Sequence, residues 1–241
     1  MVWLSDEERF SAIRENLKYI NDDISHAAIK SGRNENDVML MAVTKTVESR
    51  FINYAVDCGV NLIGENKVQE FLLKENELNL EKCVPHLIGH LQSNKVKKIV
   101  SKVDTIQSVD SLNIAAEIGK RSTEAGIKTK ILLEVNVGNE ESKFGFSLDE
   151  LPERVCEISE INGISVNGLM CVAPICEKEA ELRSIFSNMN RMFIDIGAKK
   201  IDNVNMNILS MGMSGDYKLA ILEGANLVRV GSAIFGSRIY R

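Results

Sequence analysis

The stretch Val38-Met-Leu-Met-Ala-Val-Thr-Lys45 is an apolar run that ends in a lysine. Such a run is typical of a buried strand, and similar runs recur along the chain. A lysine at the end of a buried strand is costly to desolvate unless it is paired or loses its charge. Desolvation lowers the pKa of an amine and makes lysine a nucleophile toward carbonyl groups. Lys45 is therefore predicted to form a Schiff base; the alternative is a structural lysine that reaches solvent or pairs with Glu65.

Eight strand-like runs follow one another along the chain, separated by helical patterns. The predicted strands are Val38–Val43, Asn61–Ile63, His86–Gly89, Thr105–Ser108, Ile131–Val137, Gly168–Val172, Met206–Leu209 and Leu227–Val230. The predicted helices between them are Glu48–Cys58, Lys67–Leu78, Asn94–Ser101, Ser111–Ala125, Leu148–Ile158, Lys178–Ile196 and Asp216–Glu223. Repeated β-then-α units of this kind predict a parallel sheet with helical crossovers.

A closed (β/α)8 barrel of the TIM type is the favoured arrangement of these units. Closure leaves no long edge strand, whereas a doubly wound open sheet calls for a Gly-x-Gly-x-x-Gly turn after the first strand. The turn there is Thr44-Lys45-Thr46 instead. An extra helix is predicted before the first strand, from Ser5 to Lys30, with Ser5 and Glu8 as a capping box. We expect residues 1–241 to form one domain.

Composition excludes several classes of protein. The chain has 241 residues and a net charge of −5, which argues against a general nucleic-acid binder. No apolar stretch of about 18 residues and no signal-peptide pattern occurs, so no membrane association and a cytoplasmic location are expected. The five cysteines and three histidines lack the spacing of a metal site, so no metal and free thiols are expected. Barrel closure makes a monomer the expected state.

Two turns near the C-terminus are rich in glycine and serine. One follows the seventh strand and reads Ser210-Met-Gly-Met-Ser-Gly215; the other follows the last strand and begins Gly231-Ser232. Glycine lets backbone N–H groups approach a ligand closely, and helix N-termini attract anions. In (β/α)8 barrels the loops after strands seven and eight often bind phosphate. These turns therefore predict a phosphate site.

A lysine, a phosphate site and an arginine together suit an aldehyde that carries a phosphate, and pyridoxal 5′-phosphate (PLP) is such a compound. Lys45 is the candidate for the aldehyde, while Ser214, the backbone from Gly212 to Gly215, Gly231 and Ser232 are candidates for the phosphate. Arg229 is expected to point into the barrel and face the pyridine nitrogen. Arginine cannot accept a proton, so it keeps that nitrogen unprotonated and limits the ring as an electron sink. The alternative for Arg229 is a salt bridge or a phosphate contact.

Several segments, in order along nearly the whole chain, resemble the PLP homeostasis protein family, single-domain relatives of the alanine racemase barrel. They are Met41-Ala-Val-Thr-Lys-Thr46, Ile63-Gly-Glu-Asn-Lys-Val-Gln-Glu70, Pro85-His-Leu-Ile-Gly-His-Leu-Gln-Ser-Asn-Lys95, Gly168-Leu-Met170, Leu209-Ser-Met-Gly-Met-Ser214 and Val228-Arg-Val-Gly-Ser-Ala-Ile-Phe-Gly236. The resemblance implies Lys45 as the PLP lysine, Arg229 at the pyridine nitrogen, and a cofactor site completed by Asn66, Met170, Ser210, Met211, Gly212, Ser214, Gly231 and Ser232.

The resemblance implies a role in buffering, storing or delivering PLP, with PLP-dependent apoenzymes as recipients and little or no turnover. A small amino-acid racemase is the main alternative. It needs acid–base groups on both faces of the substrate, and none of Tyr19, Tyr54, Tyr217 and Tyr240 lies at a predicted strand end. An aldolase-like barrel and a ligand-free interaction module are further alternatives. The loop that contains Lys143 is a candidate lid.

Overall fold

The computed structural model describes residues 5–138, 144–176 and 178–236. Eight parallel strands follow sequence order around a closed barrel, and the last strand pairs with the first. The predicted (β/α)8 barrel is thereby confirmed. The strands are β1 (Met39–Val43), β2 (Leu62–Glu65), β3 (Val84–Leu87), β4 (Thr105–Val109), β5 (Thr129–Val135), β6 (Ile164–Cys171), β7 (Val204–Met213) and β8 (Leu227–Val230). We call the carboxyl end of this barrel the mouth.

Helices surround the barrel in the described parts of the chain. They are α1 (Asp6–Lys30), α2 (Ser49–Asp57), α3 (Val68–Lys74), α4 (Ser93–Ile99), α5 (Leu112–Glu124), α6 (Leu151–Ser159), α7 (Glu179–Ala198), α8 (Tyr217–Leu222) and α9 (Ser232–Phe235), with a 3-10 turn at Glu75–Glu77. Alternate strand residues face these helices and form one large apolar core between barrel and helices. A small second cluster of Met41, Leu62 and Leu227 fills part of the barrel interior.

The N-terminal helix α1 begins with the predicted capping box. The Ser5 N–H donates to the Glu8 carboxylate at 2.6 Å, and the Glu8 N–H donates to the Ser5 hydroxyl at 3.2 Å. The helix packs on α8 and α9 and is tied to them by side-chain hydrogen bonds. The Tyr217 hydroxyl donates to Asp23 at 2.8 Å, and the Asn16 amide donates to the Ile234 carbonyl at 3.0 Å. Helix α1 therefore braces the last part of the barrel from outside.

One local prediction near the mouth is wrong. Strand β7 does not end at Leu209 but runs to Met213, because Ser210 and Met213 still pair with β8 on either side of an irregularity. Asp216 is the N-cap residue of α8, and its carboxylate accepts the Met213 N–H rather than an N–H of the helix. Both features link the end of β7 directly to the start of α8.

The cysteines and the character of the helices bear on two further expectations from the sequence. Cys58, Cys83, Cys156 and Cys171 carry free thiols, as the odd number of cysteines predicted. Within the described ranges, no helix combines the length and the apolar character needed to cross a bilayer. Lys143 in the candidate lid and Tyr240 lie outside the described residues.

Candidate functional site

The pair of strands β1 and β8, which we call the seam, brings the first and last motifs of the sequence together. Met41 lies opposite Arg229, and Ala42 lies opposite Val230. Directly beyond, a Cβ placed on Gly231 would lie only 3.2 Å from the Val43 Cβ. The turn that follows β8 therefore packs against the end of β1, two residues before Lys45. The predicted amine and the predicted phosphate turn thus occur side by side at the mouth.

Lys45 lies in a strained turn whose backbone is held by hydrogen bonds to two side chains of α3. The side chain is partly buried, and Thr46 adopts a left-handed backbone conformation with φ of 62°. A β-branched residue rarely adopts this conformation without support. Two contacts supply that support: the Thr46 N–H donates to the Glu70 carboxylate at 2.5 Å, and the Lys74 ammonium donates to the Thr44 carbonyl at 3.0 Å.

Glu65 at the end of β2 forms its ion pair with Lys74. One carboxylate oxygen lies 3.0 Å from the Lys74 ammonium and 3.1 Å from the Thr44 hydroxyl, and the other accepts the Asn66 N–H at 3.0 Å. Burial raises the pKa of Glu65, against the opposing effect of the Lys74 charge. The expected alternative partner of Lys45 is therefore engaged by another lysine, from α3.

The two glycine- and serine-rich turns meet at the seam. The Ser214 hydroxyl oxygen lies 3.3 Å from the Gly231 N–H nitrogen and 3.5 Å from that of Ala233. Ser232 is exposed at the start of α9. Helices α8 and α9 have only six and four residues, so individual N–H groups rather than a long helix dipole give this corner its donor character. A Cβ on Gly215 would meet no atom within 4 Å, which leaves space beside these donors.

Two other residues of the same motif have packing roles. Gly212 has φ of 92°, and a Cβ there would lie 2.6 Å from the Ala220 Cβ. Close contact between β7 and α8 therefore requires glycine at this position. Met211 is fully buried in the core between barrel and helices. Any contribution of Met211 to a ligand at the mouth comes from its backbone.

Arg229 is buried inside the barrel beside Ser210. One terminal nitrogen donates to the Ser210 hydroxyl at 2.7 Å, and the other donates to the Cys171 carbonyl at 2.7 Å. Burial lowers the pKa of Arg229, but guanidinium starts from so high a value that it keeps its charge. The hydrogen-bond partners of Arg229 among the described residues are a neutral hydroxyl and a carbonyl rather than the carboxylate of the alternative interpretation.

Asn66 and Met170 lie on other parts of the rim. Met170 is buried on β6, opposite Ser210 of β7, while Asn66 is half-buried in the turn after β2. A Cβ on Gly89 would lie 2.3 Å from the Asn66 carbonyl oxygen, so only glycine lets the loop after β3 approach Asn66 this closely. The seam thus places Lys45 near Arg229 and the two turns. Asn66 and Met170 extend the candidate site along the rim of the barrel.

Sequence reasoning missed Glu134 on β5. This carboxyl group lies opposite Met170 in the β5–β6 register. Burial, reinforced by the charge of Asp110 and opposed by that of Arg229, raises its pKa to about 7. The available signal was a single acid within the apolar run Ile131-Leu-Leu-Glu-Val135, at a position that alternation with Leu133 directs into the barrel.

His86 and His90 both have side-chain partners. His86 Nδ1 lies 2.9 Å from the Gln107 amide nitrogen inside the barrel. His90 Nδ1 lies 2.8 Å from a carboxylate oxygen of Asp110, and its ring stacks on Phe144 with centroids 3.8 Å apart. His90 therefore joins the loops after β3, β4 and β5 at the mouth.

The chain is similar in sequence to a known protein family and to two named relatives. Residues 10–239 match the family model of the alanine racemase N-terminal domain. A protein of Aquifex aeolicus named pyridoxal phosphate homeostasis protein is 39% identical over 94% of this chain and 98% of its own length. An Escherichia coli protein of the same name is 34% identical over 95% of this chain and 97% of its own length.

A solved structure shares both fold and sequence with the chain. PipY of Synechococcus elongatus, in a structure with PLP bound, is 32% identical, with a TM-score of 0.79 over 93% of this chain and 100% of that one. The family match spans most of the chain, and the curated relatives are matched almost from end to end. The chain therefore belongs to the alanine racemase N-terminal domain family, in the group whose relatives are named pyridoxal phosphate homeostasis proteins.

Proposed function

We propose that this chain binds PLP covalently through Lys45 and serves PLP homeostasis by buffering, storing or delivering the cofactor, with little or no turnover of its own. The observation that carries the proposal is the seam, where Gly231 packs against Val43 and so brings the glycine turns beside the Lys45 turn. The names of the relatives and the PLP bound to PipY support the same ligand.

The residues at the seam suit a phosphate ester. The N–H groups of Gly231 and Ala233 converge on one point, which the Ser214 oxygen now occupies as acceptor. Together with the hydroxyls of Ser214 and Ser232, they offer neutral donors of the kind that bind phosphate oxygens. The open space beside Gly215 gives room for the ester. PLP supplies, when bound, an aldehyde that condenses with a primary amine and a ring that withdraws electrons.

The chain itself prepares the amine. Glu70 fixes the Thr46 N–H, and Lys74 fixes the Thr44 carbonyl, so the backbone on both sides of Lys45 is held. A lysine on a fixed turn loses less conformational entropy on binding than one on a loose loop. We infer that this arrangement lowers the cost of forming the covalent link.

The chemistry of Arg229 favours storage of PLP over catalytic turnover on PLP. Its guanidinium has only donors and is anchored to Ser210 and Cys171, so at the pyridine nitrogen it offers a hydrogen bond but accepts no proton. Carbanion chemistry on PLP needs a strong electron sink, which a protonated ring nitrogen provides. An unprotonated ring is the weaker sink and suits a carrier.

The described tyrosines support a carrier over a racemase. The Tyr217 hydroxyl donates to Asp23 of the outer helix α1, and burial raises its pKa. The Tyr54 ring contacts the Phe10 ring in a tilted arrangement, with centroids 4.6 Å apart, and Tyr19 is 69% exposed. Each of the three is engaged or placed away from the seam, whereas a racemase needs a second acid–base group opposite the lysine.

The wider proposal follows the expectations from sequence. The whole chain, residues 1–241, acts as one PLP-binding barrel domain, as a monomer, in the cytoplasm. Its partners are PLP and PLP-dependent apoenzymes that receive it. Neither nucleic acid nor membrane takes part.

An absorption spectrum with added PLP tests the covalent link. Wild type, Lys45→Ala and Lys97→Ala are compared, because Lys97 is an exposed lysine on α4 at the same end of the barrel. We expect a new absorption band in wild type and Lys97→Ala and none in Lys45→Ala. Borohydride reduction followed by mass spectrometry should then find the adduct on the peptide with Lys45. An adduct elsewhere, or a band that survives in Lys45→Ala, overturns the assignment.

Two further assays separate carrier from enzyme. Incubation with amino acids in deuterated water should leave their α-hydrogens unexchanged; exchange at a catalytic rate supports the racemase alternative. Transfer of PLP to an apoenzyme is then followed with and without an excess of a PLP-trapping aminothiol. Transfer that persists in the presence of the trap, at a rate set by apoenzyme concentration, indicates delivery by contact. Transfer that the trap abolishes indicates release into solution.

A further inference from the structure

A continuous chain of hydrogen-bonded polar side chains crosses the barrel interior and begins at Arg229. Arg229 donates to the Ser210 hydroxyl at 2.7 Å, and that hydroxyl donates to the Gln107 carbonyl oxygen at 2.7 Å. The Gln107 amide nitrogen lies 2.9 Å from His86 Nδ1. The four residues come from β8, β7, β4 and β3 and are each at most 4% exposed. These hydrogen bonds therefore cross the barrel interior, shielded from water.

Donor and acceptor chemistry fixes the direction of every bond in this chain. Arginine has only donors, so the Ser210 oxygen accepts from Arg229, and the serine donates its single proton to the Gln107 carbonyl oxygen. The Gln107 oxygen is thereby used as the acceptor, and its NH2 group must face His86 Nδ1. A sulfur atom, Met41 Sδ, lies 3.9 Å from the same NH2 group and is a weak acceptor, which agrees with this orientation.

The direction of the chain determines the protonation of His86. Its Nδ1 must accept, so the ring proton lies on Nε2, on the side of Asp104, whose Oδ2 is 3.7 Å away. The Asp104 carboxylate is itself engaged by Lys130 at 2.9 Å and by the Thr105 hydroxyl at 2.8 Å. Burial lowers the pKa of His86 to about 4, so the ring is neutral near pH 7.

Arg229 is held at two points as a result. One terminal nitrogen is bound to Ser210 and the other to the Cys171 carbonyl on β6. Two bonds from different terminal nitrogens fix the plane of a guanidinium as well as its position. The Ser210 anchor in turn depends on Gln107, because without that acceptor the serine hydroxyl is left to rotate.

We propose that Gln107 is a positioning residue for Arg229: through Ser210 it fixes how the guanidinium is presented to the ring nitrogen of the bound cofactor, and His86 fixes the orientation of Gln107. The proposal rests on the proposed function for the ligand and deepens it. Gln107 lies in the barrel interior and acts on the cofactor through two intervening side chains, Ser210 and Arg229. It therefore sets the quality of the cofactor site without being part of its wall.

The first experiment measures the tautomer of His86, the last residue of the hydrogen-bond chain, in the protein without added PLP. Heteronuclear NMR on isotope-labelled histidine distinguishes the Nδ1–H and Nε2–H tautomers, and the chain has three histidines to assign. We expect His86 as the Nε2–H form in wild type and a mixture of tautomers in Ser210→Ala, because Gln107 is then able to turn over. Ser122→Ala removes another fully buried hydroxyl, bonded to Ile118 and Thr129, and should leave His86 unchanged.

The second experiment measures PLP binding by absorption titration in Gln107→Leu and Gln107→Glu. Gln107→Leu removes the acceptor for Ser210, and we expect about tenfold weaker binding and a shifted spectrum of the bound cofactor, the size expected for a lost hydrogen bond to a charged network. Gln107→Glu restores the acceptor, so binding should return to within about threefold of wild type. In the same variant His86 must place a proton on Nδ1, so its NMR signature should invert.

The outcomes separate the two levels of the argument. If wild type binds no PLP, the proposed function fails while the His86 result still decides whether the directional chain exists. If His86 is the Nδ1–H form in wild type, or is unchanged in Ser210→Ala, the proposed direction of the hydrogen bonds is wrong. If Gln107→Leu binds PLP with wild-type affinity and spectrum, the positioning role is wrong; should that variant not fold, weak binding by Gln107→Glu overturns it equally.

Discussion

The ammonium nitrogen of Lys74 lies 3.0 Å from a carboxylate oxygen of Glu65, in a buried ion pair beneath the turn that carries Lys45. The same ammonium lies 2.6 Å from Glu70 and 3.0 Å from the Thr44 carbonyl oxygen. One lysine on α3 thus binds the almost fully buried Glu65 carboxylate, the Glu70 carboxylate on the same helix and one carbonyl of the turn after β1. Its loss would leave Glu65 with an uncompensated charge.

Lys74→Met is predicted to destabilise the protein by about 3–5 kcal/mol, the usual cost of removing one partner of a buried pair. Urea unfolding measures the change. Lys82→Met is the matched control, because Lys82 pairs with Asp57 at 2.8 Å but both side chains are more than half exposed. We expect no measurable change in the control. Equal stabilities for the two variants would show that the Glu65 pair contributes little.

Glu134 and His86, whose pKa values burial displaces in opposite directions, give opposite pH dependences of stability. Glu134 has a folded-state pKa of about 7 instead of 4.5, so between these values the folded protein holds a proton that the unfolded chain releases. Stability therefore falls as pH rises through this window. His86 has a folded-state pKa of about 4 instead of 6.5, so here the unfolded chain holds the additional proton. Stability from this group is complete above pH 6.5 and is lost as pH falls toward 4.

We predict that Glu134→Gln and His86→Asn change the pH profile of stability in opposite senses. Relative to wild type, Glu134→Gln should gain on the order of 1–3 kcal/mol as pH rises from about 4.5 to 7. His86→Asn should gain a similar amount relative to wild type as pH falls from about 6.5 to 4, on top of a constant loss from the broken hydrogen bond. Urea unfolding at several pH values measures both slopes. Parallel profiles for variant and wild type contradict the burial that displaces these pKa values.

The Ser214 hydroxyl is predicted to matter for PLP binding and little for folding. It is partly exposed at the corner where the N–H groups of Gly231 and Ala233 meet. Ser214→Ala removes one phosphate contact, and we expect about tenfold weaker PLP binding with a nearly unchanged melting temperature. Ser93→Ala, an exposed serine at the start of α4, serves as the control and should bind as wild type does. Wild-type affinity in Ser214→Ala would move the phosphate site elsewhere.

The barrel was predictable because each strand is a short apolar run between turns. Hydrophobic alternation and helix signals identify such runs without knowledge of the partners. Ser5 and Glu8 were equally readable, since a capping box involves residues only three apart. Strand ends were less so: β7 continues through Ser210 and Met213 because β8 offers partners there. Hydrogen bonds to a distant strand leave no local signal.

The polar interior was not predictable from the sequence. Gln107 and His86 are ordinary polar residues in two neighbouring strands, and only barrel closure brings Ser210 and Arg229, from β7 and β8, to join them. Lys74 was missed for a related reason, since a lysine on an amphipathic helix usually faces solvent. Lys45 itself stood out because a charged residue directly after an apolar run contradicts its surroundings.

The seam has a consequence for the order in which the protein comes into being. Strand β1 emerges early from the ribosome, but its neighbour β8 and the Gly231 turn are translated almost last. A growing chain therefore carries Lys45 long before it has the corner formed by Ser214 and Gly231. Barrel closure joins distant segments and is a slow, non-local step. Because a ligand that binds only the closed form stabilises it by mass action, the supply of cofactor during synthesis acts on this final step of maturation.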